Sequence, residues 1–496
     1  MKAIMILADS VNRRYLSAYG NDWVKTPNLE RLQEKCVVFD NHWTGSAPCM
    51  PARRDIMTGR LNFLDRNWGA IEPFDRTLPD ILREQNLFTH MVTDHYHYLE
   101  IGGENYCQLF NTWECFRGQE NDVWVSKVNY EPETAARCGR YVPQYELNRT
   151  KFLAEADYPT PKTLQAAAHW LEENKEADNY LLWVEVFDPH EPFDTPDDYL
   201  APYEDHYDGP LYNWPKYAPV KEPEEAVTHI RNRYAATLTM TDKWLGKILD
   251  VMDQNNMWED TMVIFMTDHG YMLGEHGFMA KIYMPAYNEV FHIPLMIHYP
   301  GDVDTDHRVK ALTQNIDILP TVLDYFGISR NRCRNKLHGK SLIPLLKGET
   351  ESIREYALYG YFGKSVNITD GKYTYFRASV REDNLPLYLY TAMPTTLCQY
   401  YGLNTISDFK KIETGRYLKW TDYPVYKIPA EIIESQRFNQ RSQYNGEHLL
   451  FDIEKDYGQH HMIQDEQVEK VLMEKMKKAV MEYEAPEEQL IRLGLV

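Results

Sequence analysis

Short, nearly unbroken apolar runs recur along the first two thirds of this chain: Lys2–Leu7, Thr89–Val92, Leu181–Phe187, Met262–Met266 and Pro294–His298. Their length fits strands, and their lack of polar alternation fits strands buried on both faces. Helical patterns lie between them: Asn28–Lys35 behind a Thr26-Pro27 cap, Leu78–Gln85 behind Thr77, and a long stretch at 225–254. In that stretch Ile230, Tyr234, Leu238, Leu245, Ile248 and Met252 fall on one face. A further helix follows Asp317 in DILPTVLDYFGI and stops near Gly327. Strand and helix alternating in this way predict an α/β fold, a large mostly parallel sheet sandwiched by helices. From about residue 355 the texture changes. ALYGYFGKSVNITDGKYTYFR carries aromatic runs around Asp370-Gly371, a hairpin signal, and Asp465–Glu484 reads as a charged amphipathic helix. The expected division is therefore an α/β domain over 1–355 and a smaller C-terminal domain over 356–496, built on an antiparallel sheet plus a helix. Residues 391–445 read as an insertion between YLY and HLLFD, and 199–223 as an aromatic loop.

Ligands of an open parallel sheet bind beyond the carboxyl ends of its strands, so the residues that follow each run carry the functional reading. The first run releases Asp9 and Ser10, the second Asp94, His95 and His97, the third Asp188 and His190. The fourth releases Asp268 and His269, with Lys281 a little further on. Any one of these reads equally well as a cap or a solvated residue; four sets at one edge point to a site. Asp9 and Asp268 are hard oxygen ligands and His269 adds a nitrogen, a donor set for a divalent cation. His95 and His97, two apart in what reads as an extended segment, are expected to point the same way and carry protons. His190 and Lys281 are candidates for protonating a leaving group.

A second feature is SAPCMPARRDIMTGR at 46–60. Pro51 suits the first turn of a helix, and Ala52 to Thr58 reads as that helix, closed by Gly59. Cys49 is then expected at an amide-lined helix N-terminus, where a thiolate or an anion is stabilised, with Arg53 one turn away. Cations and a helix N-terminus around one nucleophile describe a site for a tetrahedral oxyanion.

The formal net charge of −21 argues against nucleic acid or an anionic membrane as partner. An anionic substrate needs a local positive pocket. Seven cysteines, an odd number without a CxxC, suggest neither a disulfide framework nor a thiolate zinc site. MKAIMILADS reads as a first strand rather than a signal peptide, and no run approaches about 18 uninterrupted apolar residues. The expectation is a cytoplasmic protein that spans no membrane. His276, His460, His461 and the basic RNRCRNK run at 330–336 read as loop or solvated residues. Asp65, Arg66 and Trp68 are candidates to border a pocket, with Trp68 and the 199–223 aromatics suited to stacking on a sugar.

CMPAR at 49–53 fits the Cys-x-Pro-x-Arg signature of the type I, formylglycine-dependent sulfatases of the alkaline phosphatase superfamily, and TGR at 58–60 fits its extension. The chain resembles that family over most of its length: Asp9, the Cys49 motif, Asp268-His269 with Lys281, DILPTVLDYFGI, GKSLIPLLKG, and HLLFDIEKDYGQ near the end. The resemblance implies a sulfatase acting on an anionic sulfate ester, and an N-terminus that reads as a strand rather than a signal peptide suggests a small one, such as a sulfated mono- or disaccharide. It implies that a formylglycine-forming maturation enzyme converts Cys49 to an aldehyde that hydrates to a gem-diol. Asp9, Asp268, His269 and the residue at 49, with Ser10 beside them, would hold one divalent cation, commonly Ca2+ in this family, with Mn2+, Mg2+ or Zn2+ as alternatives. One diol oxygen would attack sulfur, and the alcohol would leave protonated by His190 or Lys281. His97 would then take the second hydroxyl's proton, expelling sulfate. Arg53 would steady the diol and Lys281 a sulfate oxygen.

Two departures stand out. Ser10 occupies a position where many sulfatases have a second aspartate, and His95-Tyr96-His97 stands in place of a Lys-x-His. They keep open the phosphonate monoester and phosphodiester hydrolases of the same superfamily, which share the cysteine motif. A non-catalytic binding protein with an unmodified Cys49 is the reading from another class. Oligomeric state is not legible.

Overall fold

Eight strands form the main sheet: Lys2–Ala8 (β1), Val37–Phe39 (β2), Phe88–Thr93 (β3), Thr112–Cys115 (β4), Tyr180–Val186 (β5), Thr261–Met266 (β6), Leu295–His298 (β7) and Arg308–Val309 (β8). The structure is a computed structural model that describes residues 1–131, 137–301, 303–394, 405–434 and 447–496. The strand order is β8-β2-β7-β6-β1-β5-β3-β4. β7 runs antiparallel to β6 and β2, and every other pairing in the sheet is parallel. The central strands are apolar throughout because both sides are covered. Ile4, Ile6 and Ala8 of β1 enter one core with helices Pro159–Glu173 and Glu224–Gln254. Ala3, Met5 and Leu7 enter the other, with helices Cys49–Thr58, Leu78–Glu84 and Ile318–Tyr325. The face read from the 225–254 stretch is the buried one, with Ile230, Tyr234, Leu238, Leu245, Ile248 and Met252 each no more than 2% exposed.

The α/β sandwich expected from the alternation is present, with corrections of detail. Neither Thr26 nor Thr77 caps its helix through the side chain. The Thr77 hydroxyl instead donates to Asp80 at 2.7 Å, so proline in the first turn does the work of starting these helices. Towards the C-terminus Leu449–Asp452, Tyr373–Arg377, Val366–Thr369 and Ala357–Tyr361 make an antiparallel sheet, and the helix Glu466–Glu482 packs Leu472, Met476, Ala479 and Val480 onto it. Its fifth strand is Ser46–Ala47, paired in parallel with Gly360 and Tyr361. The segment that leads into Cys49 is thus fastened to the second sheet. The 391–445 stretch lies partly outside the described residues, as does Cys398; its described parts pair Val425–Pro429 with Tyr388–Thr391 and Glu413–Gly415. Cys36, Cys49, Cys107, Cys115, Cys138 and Cys333 are free thiols. Among the described residues no helix is long and apolar enough to cross a membrane.

Ile264 sits in the middle of β6, fully buried. Ile264→Ala is expected to lower stability by about 2–5 kcal/mol, read as a fall in the urea unfolding midpoint.

Candidate functional site

β6, β1, β5 and β3 are neighbours in the sheet and parallel, so their carboxyl ends open onto one edge. Asp268, Asp9, His190 and His95 follow those ends and are all buried. The chain continues straight from the ladder into the site: the Asp9 amide still donates to Val186 at 3.0 Å. Ser10 then takes φ +65°, which turns its amide onto Asp268 Oδ1 at 3.0 Å.

Cys49 is the first residue of a helix that runs to Thr58 and ends at Gly59, whose φ of +66° is the left-handed conformation glycine tolerates. Asp55, on the same helix, accepts from the Ser46 amide (2.7 Å) and hydroxyl (2.9 Å) and from the Asn62 amide (3.0 Å) and Nδ2 (2.6 Å). One carboxylate so ties the strand before the helix to the loop after it. Arg53 is fully buried and spreads its fork over three strand ends: Nε to Glu185 at 2.6 Å, Nη1 to Asp268 at 2.6 Å and Nη2 to Asp9 at 2.8 Å. Glu185 also takes Tyr98 Oη at 2.8 Å and Trp183 Nε1 at 3.0 Å.

Around Cys49 Sγ, His269 Nε2 and Lys281 Nζ each lie at 3.3 Å. Lys281 Nζ also reaches His269 Nε2 (3.2 Å), Ser10 Oγ (3.1 Å) and Asp9 Oδ1 (3.9 Å). The Gly270 carbonyl can only accept, so at 2.9 Å it takes the Nδ1 proton of His269 and leaves Nε2 with its lone pair facing the cluster. Donor atoms of Asp9, Cys49, Asp268 and His269 all lie within 4.8 Å of one another. Two carboxylates and an imidazole lone pair, converging in a buried place, fit a divalent cation.

The electrostatics correct one expectation. Burial, and then the Asp9 charge, push the Cys49 thiol well above its ordinary value, Lys281 opposing; the helix N-terminus does not make a thiolate here. Asp9 itself is held well below the usual carboxylate range: burial would raise it, and the Arg53 and Lys281 charges outweigh burial. Burial would lower Lys281, but Cys49, Asp9 and Glu191 keep it raised, so it is a firm cation. Burial pulls His190 and His95 far down, with Lys281 adding to the effect on the first and Arg53 on the second.

A cavity of about 360 Å³ opens above this floor, lined by Cys49, Trp68, His97, Glu120, Arg140, His190, Lys216, Tyr217 and Lys281 among others. His190 donates Nδ1–H to the Glu191 carbonyl at 2.7 Å, which again leaves Nε2 unprotonated. His97 has Nδ1 2.7 Å from Glu100 Oε2 and stands edge-on to Trp68. The segment at 95–99 is not extended as expected: Tyr96–Leu99 is a 3-10 turn. It sends His97 to the cavity and His95 behind it, 3.4 Å from Arg53 Nη2. Of the three candidates after the helix, Trp68 lines the cavity, while Arg66 pairs with Glu72 at 2.6 Å and Asp65 is buried outside the wall. Asp94 and Asp188 also stay out of the wall; Asp94 is taken up by Gln119, Thr160 and the Phe187 amide. Tyr217, from the 199–223 aromatic loop, lines the cavity as that loop's reading allows, while the sequence offers no role for Glu185, Asp55, Glu120, Arg140 or Lys216. A charged residue inside the apolar run of β5 was the available signal for Glu185; the others carry none.

Residues 2–328 match the family model described as Sulfatase, and residues 274–412 match the one described as N-sulphoglucosamine sulphohydrolase, C-terminal. The choline-sulfatase of Rhizobium meliloti (strain 1021) is 27% identical over 417 residues, 77% of this chain and 79% of that protein. Two solved structures share the fold. A phosphonate monoester hydrolase of Agrobacterium radiobacter has a TM-score of 0.64 at 18% identity, over 97% of this chain and 96% of that one. BT4656, in complex with its substrate D-glucosamine-2-N,6-O-disulfate, has a TM-score of 0.66 at 17% identity, over 98% of each chain.

Arg53→Met leaves buried carboxylates without their counter-charge and is expected to destabilise the protein by about 3–5 kcal/mol, measured by urea unfolding in the presence of a chelator. Burial raises Glu191 to about 7, with Lys281 opposing and Glu120 adding. Its folded-state pKa therefore lies above its ordinary 4.5, and the stability it contributes is full below pH 4.5 and lost as pH rises through about 7. Melting temperature is expected to fall over that window in the wild type and less steeply in Glu191→Gln.

Proposed function

This chain belongs to the sulfatase family, and we propose that it hydrolyses a small sulfate ester through a formylglycine made from Cys49, with one divalent cation. Family membership and its sulfatase relatives make it a sulfuric ester hydrolase. The observation that carries the finer reading is the floor of the cavity, where Cys49 Sγ lies 3.3 Å from both His269 Nε2 and Lys281 Nζ.

Asp9, Asp268 and His269, with an oxygen at position 49, are the residues to hold the cation. Ca2+ is the first choice for this oxygen-rich set, Mn2+, Mg2+ and Zn2+ the alternatives. Bound there, the cation would draw charge off a sulfate oxygen, and the hydrated aldehyde would supply the attacking oxygen. Ser10, read from the sequence as a further ligand, donates to Asp9 Oδ1 at 2.7 Å and accepts from Lys281, a geometry that suits orienting Asp9. Arg53 holds Asp9 and Asp268 in place, and His95 packs behind it.

Lys281, a buried cation at the floor, binds a non-bridging sulfate oxygen and steadies charge as the ester bond lengthens. His190 is neutral in the free enzyme, with its proton on Nδ1. A sulfate anion arriving beside Nε2 favours the doubly protonated ring, which then donates from Nε2 to the leaving alcohol oxygen. Lys281 is the second candidate for that proton. His97, with Nδ1 on Glu100, presents Nε2 as the base that takes the last hydroxyl proton at position 49.

The second reading is hydrolysis of phosphonate monoesters or phosphodiesters. It rests on Ser10, an uncharged residue where a second acid is usual. Protein co-expressed with a formylglycine-forming enzyme is expected to carry, at residue 49, the mass loss that turns CH2SH into CHO. It should turn over an aryl sulfate faster than an aryl phosphonate monoester. Cys49→Ala and exhaustive chelation should each remove at least about 99% of that rate, as loss of a nucleophile or of its electrostatic support does. Faster phosphonate turnover replaces the sulfatase reading with the second one; retained activity in Cys49→Ala overturns both.

A further inference from the structure

Two basic side chains in the cavity wall have no part in the chemistry above. Arg140 and Lys216 both line the cavity. The cations at the reacting end are engaged: Arg53 by three carboxylates, Lys281 by Ser10, Cys49 and His269. Arg140 and Lys216 differ from them, since among the described residues neither side chain makes a hydrogen bond or an ion pair. Glu120 and Glu191 are near enough to raise Arg140 electrostatically without forming an ion pair with it. In a chain of net charge −21, two cations that face one cavity with no direct acidic bond among the described residues are out of the ordinary.

They are also built in. The Arg140 guanidinium lies over the ring of Trp214, 4.5 Å from its centroid, and Trp214 is only 2% exposed. Cys138 N donates to Leu211 O at 3.0 Å and Arg140 N to Trp214 O at 2.7 Å, so the two segments run side by side. Gly139, at φ +86°, lets them close, because a Cβ there would fall 2.2 Å from Trp214 O. Two residues beyond Trp214 comes Lys216, and the same segment goes on to bond Met279 N to Ala218 O at 3.1 Å, just before Lys281. One backbone unit therefore sets Arg140 and Lys216 relative to the reacting end. Glu120 shares the wall, but its oxygens are turned to Tyr96 Oη (2.8 Å) and His190 Nδ1 (3.4 Å).

We propose that Arg140 and Lys216 form a leaving-group subsite for a second oxyanion, so that the preferred substrate carries a carboxylate or a second sulfate on the alcohol released. The inference rests on the sulfatase reading and adds the charge of the alcohol to it. A planar guanidinium fixed over an aromatic ring suits a carboxylate or sulfate fork, and the exposed Lys216 adds charge at the rim.

The test compares kcat/KM for phenyl sulfate, 4-carboxyphenyl sulfate, 1,4-phenylene disulfate and choline sulfate. The two dianions are expected to be preferred over phenyl sulfate by about tenfold, the worth of one charge-assisted hydrogen bond, mainly through KM. Their relative rates distinguish carboxylate from sulfate as the second group. In Arg140→Gln the ratio of dianion to phenyl sulfate should collapse to near unity, in Arg140→Lys recover in part, and in Lys216→Gln fall by a smaller factor. A fold defect lowers every substrate alike and leaves the ratio unmoved. Preference for phenyl sulfate or choline sulfate, or a ratio unchanged in Arg140→Gln, overturns the proposal. If no sulfate ester is turned over, the sulfatase reading fails on its own. The subsite is then judged by calorimetric affinity of the Cys49→Ala protein for 4-carboxyphenyl sulfate against phenyl sulfate, with and without Arg140→Gln.

Discussion

A single guanidinium holds the functional edge of this molecule together. Arg53 arrives from a helix and places one nitrogen on each of three acids that end or interrupt adjacent strands: Asp268 beyond β6, Asp9 beyond β1 and Glu185 within β5. A rigid planar fork can do this; an ammonium on a flexible stem cannot meet three carboxylates in fixed directions. All four groups are fully buried, where unpaired charge is least tolerated. The helix position, the spread of the strand ends and the orientation of Asp9 and Asp268 are consequently one problem with one solution. The three acids outnumber Arg53 and Lys281 together, so the site keeps a negative remainder that a bound cation would neutralise.

The other end of the same helix is fixed by an acid that lies outside the cavity wall. Asp55 gathers four donors from Ser46 and Asn62, and Ser46–Ala47 is in turn a strand of the second sheet. Cys49 therefore stands between two anchors: the second sheet on its N-terminal side and the Arg53 fork one turn into the helix. The C-terminal sheet bears on the site through this connection, although its strands follow the main sheet by tens of residues in sequence.

The fold was legible in the sequence because its signal is local. An apolar run of six or seven residues states its own burial, and the periodicity of Ile230 to Met252 states which face of a helix is covered. The edge of the sheet was legible too, since topology sends the residues after parallel strands to one side. What stayed hidden depends on distant pairing. Glu185 looks like a flaw in an apolar strand until Arg53 is brought beside it. Arg140 reaches the cavity because residues 138–140 run alongside 211–214, a pairing with no periodicity to betray it. The turn at Tyr96–Leu99 departs from the extended path for a related reason: a short polar-aromatic stretch is compatible with either an extended or a 3-10 path, and His97 packs against Phe187 and Trp68 in the latter.

The surroundings of position 49 disfavour a thiolate. A thiolate there would sit in a buried place beside Asp9 and Asp268, and both acids join burial in raising the thiol's pKa. Lys281 pulls the other way and loses. The same two acids have the opposite meaning for an oxygen atom. They would suit a hard cation, and a hard cation prefers to bind and activate oxygen. A helix N-terminus, a firm ammonium and a pair of carboxylates thus disfavour a thiolate and are compatible with the hydrated aldehyde proposed for this position. The charge pattern that raises the Cys49 thiol is the one that the proposed modification would turn to use.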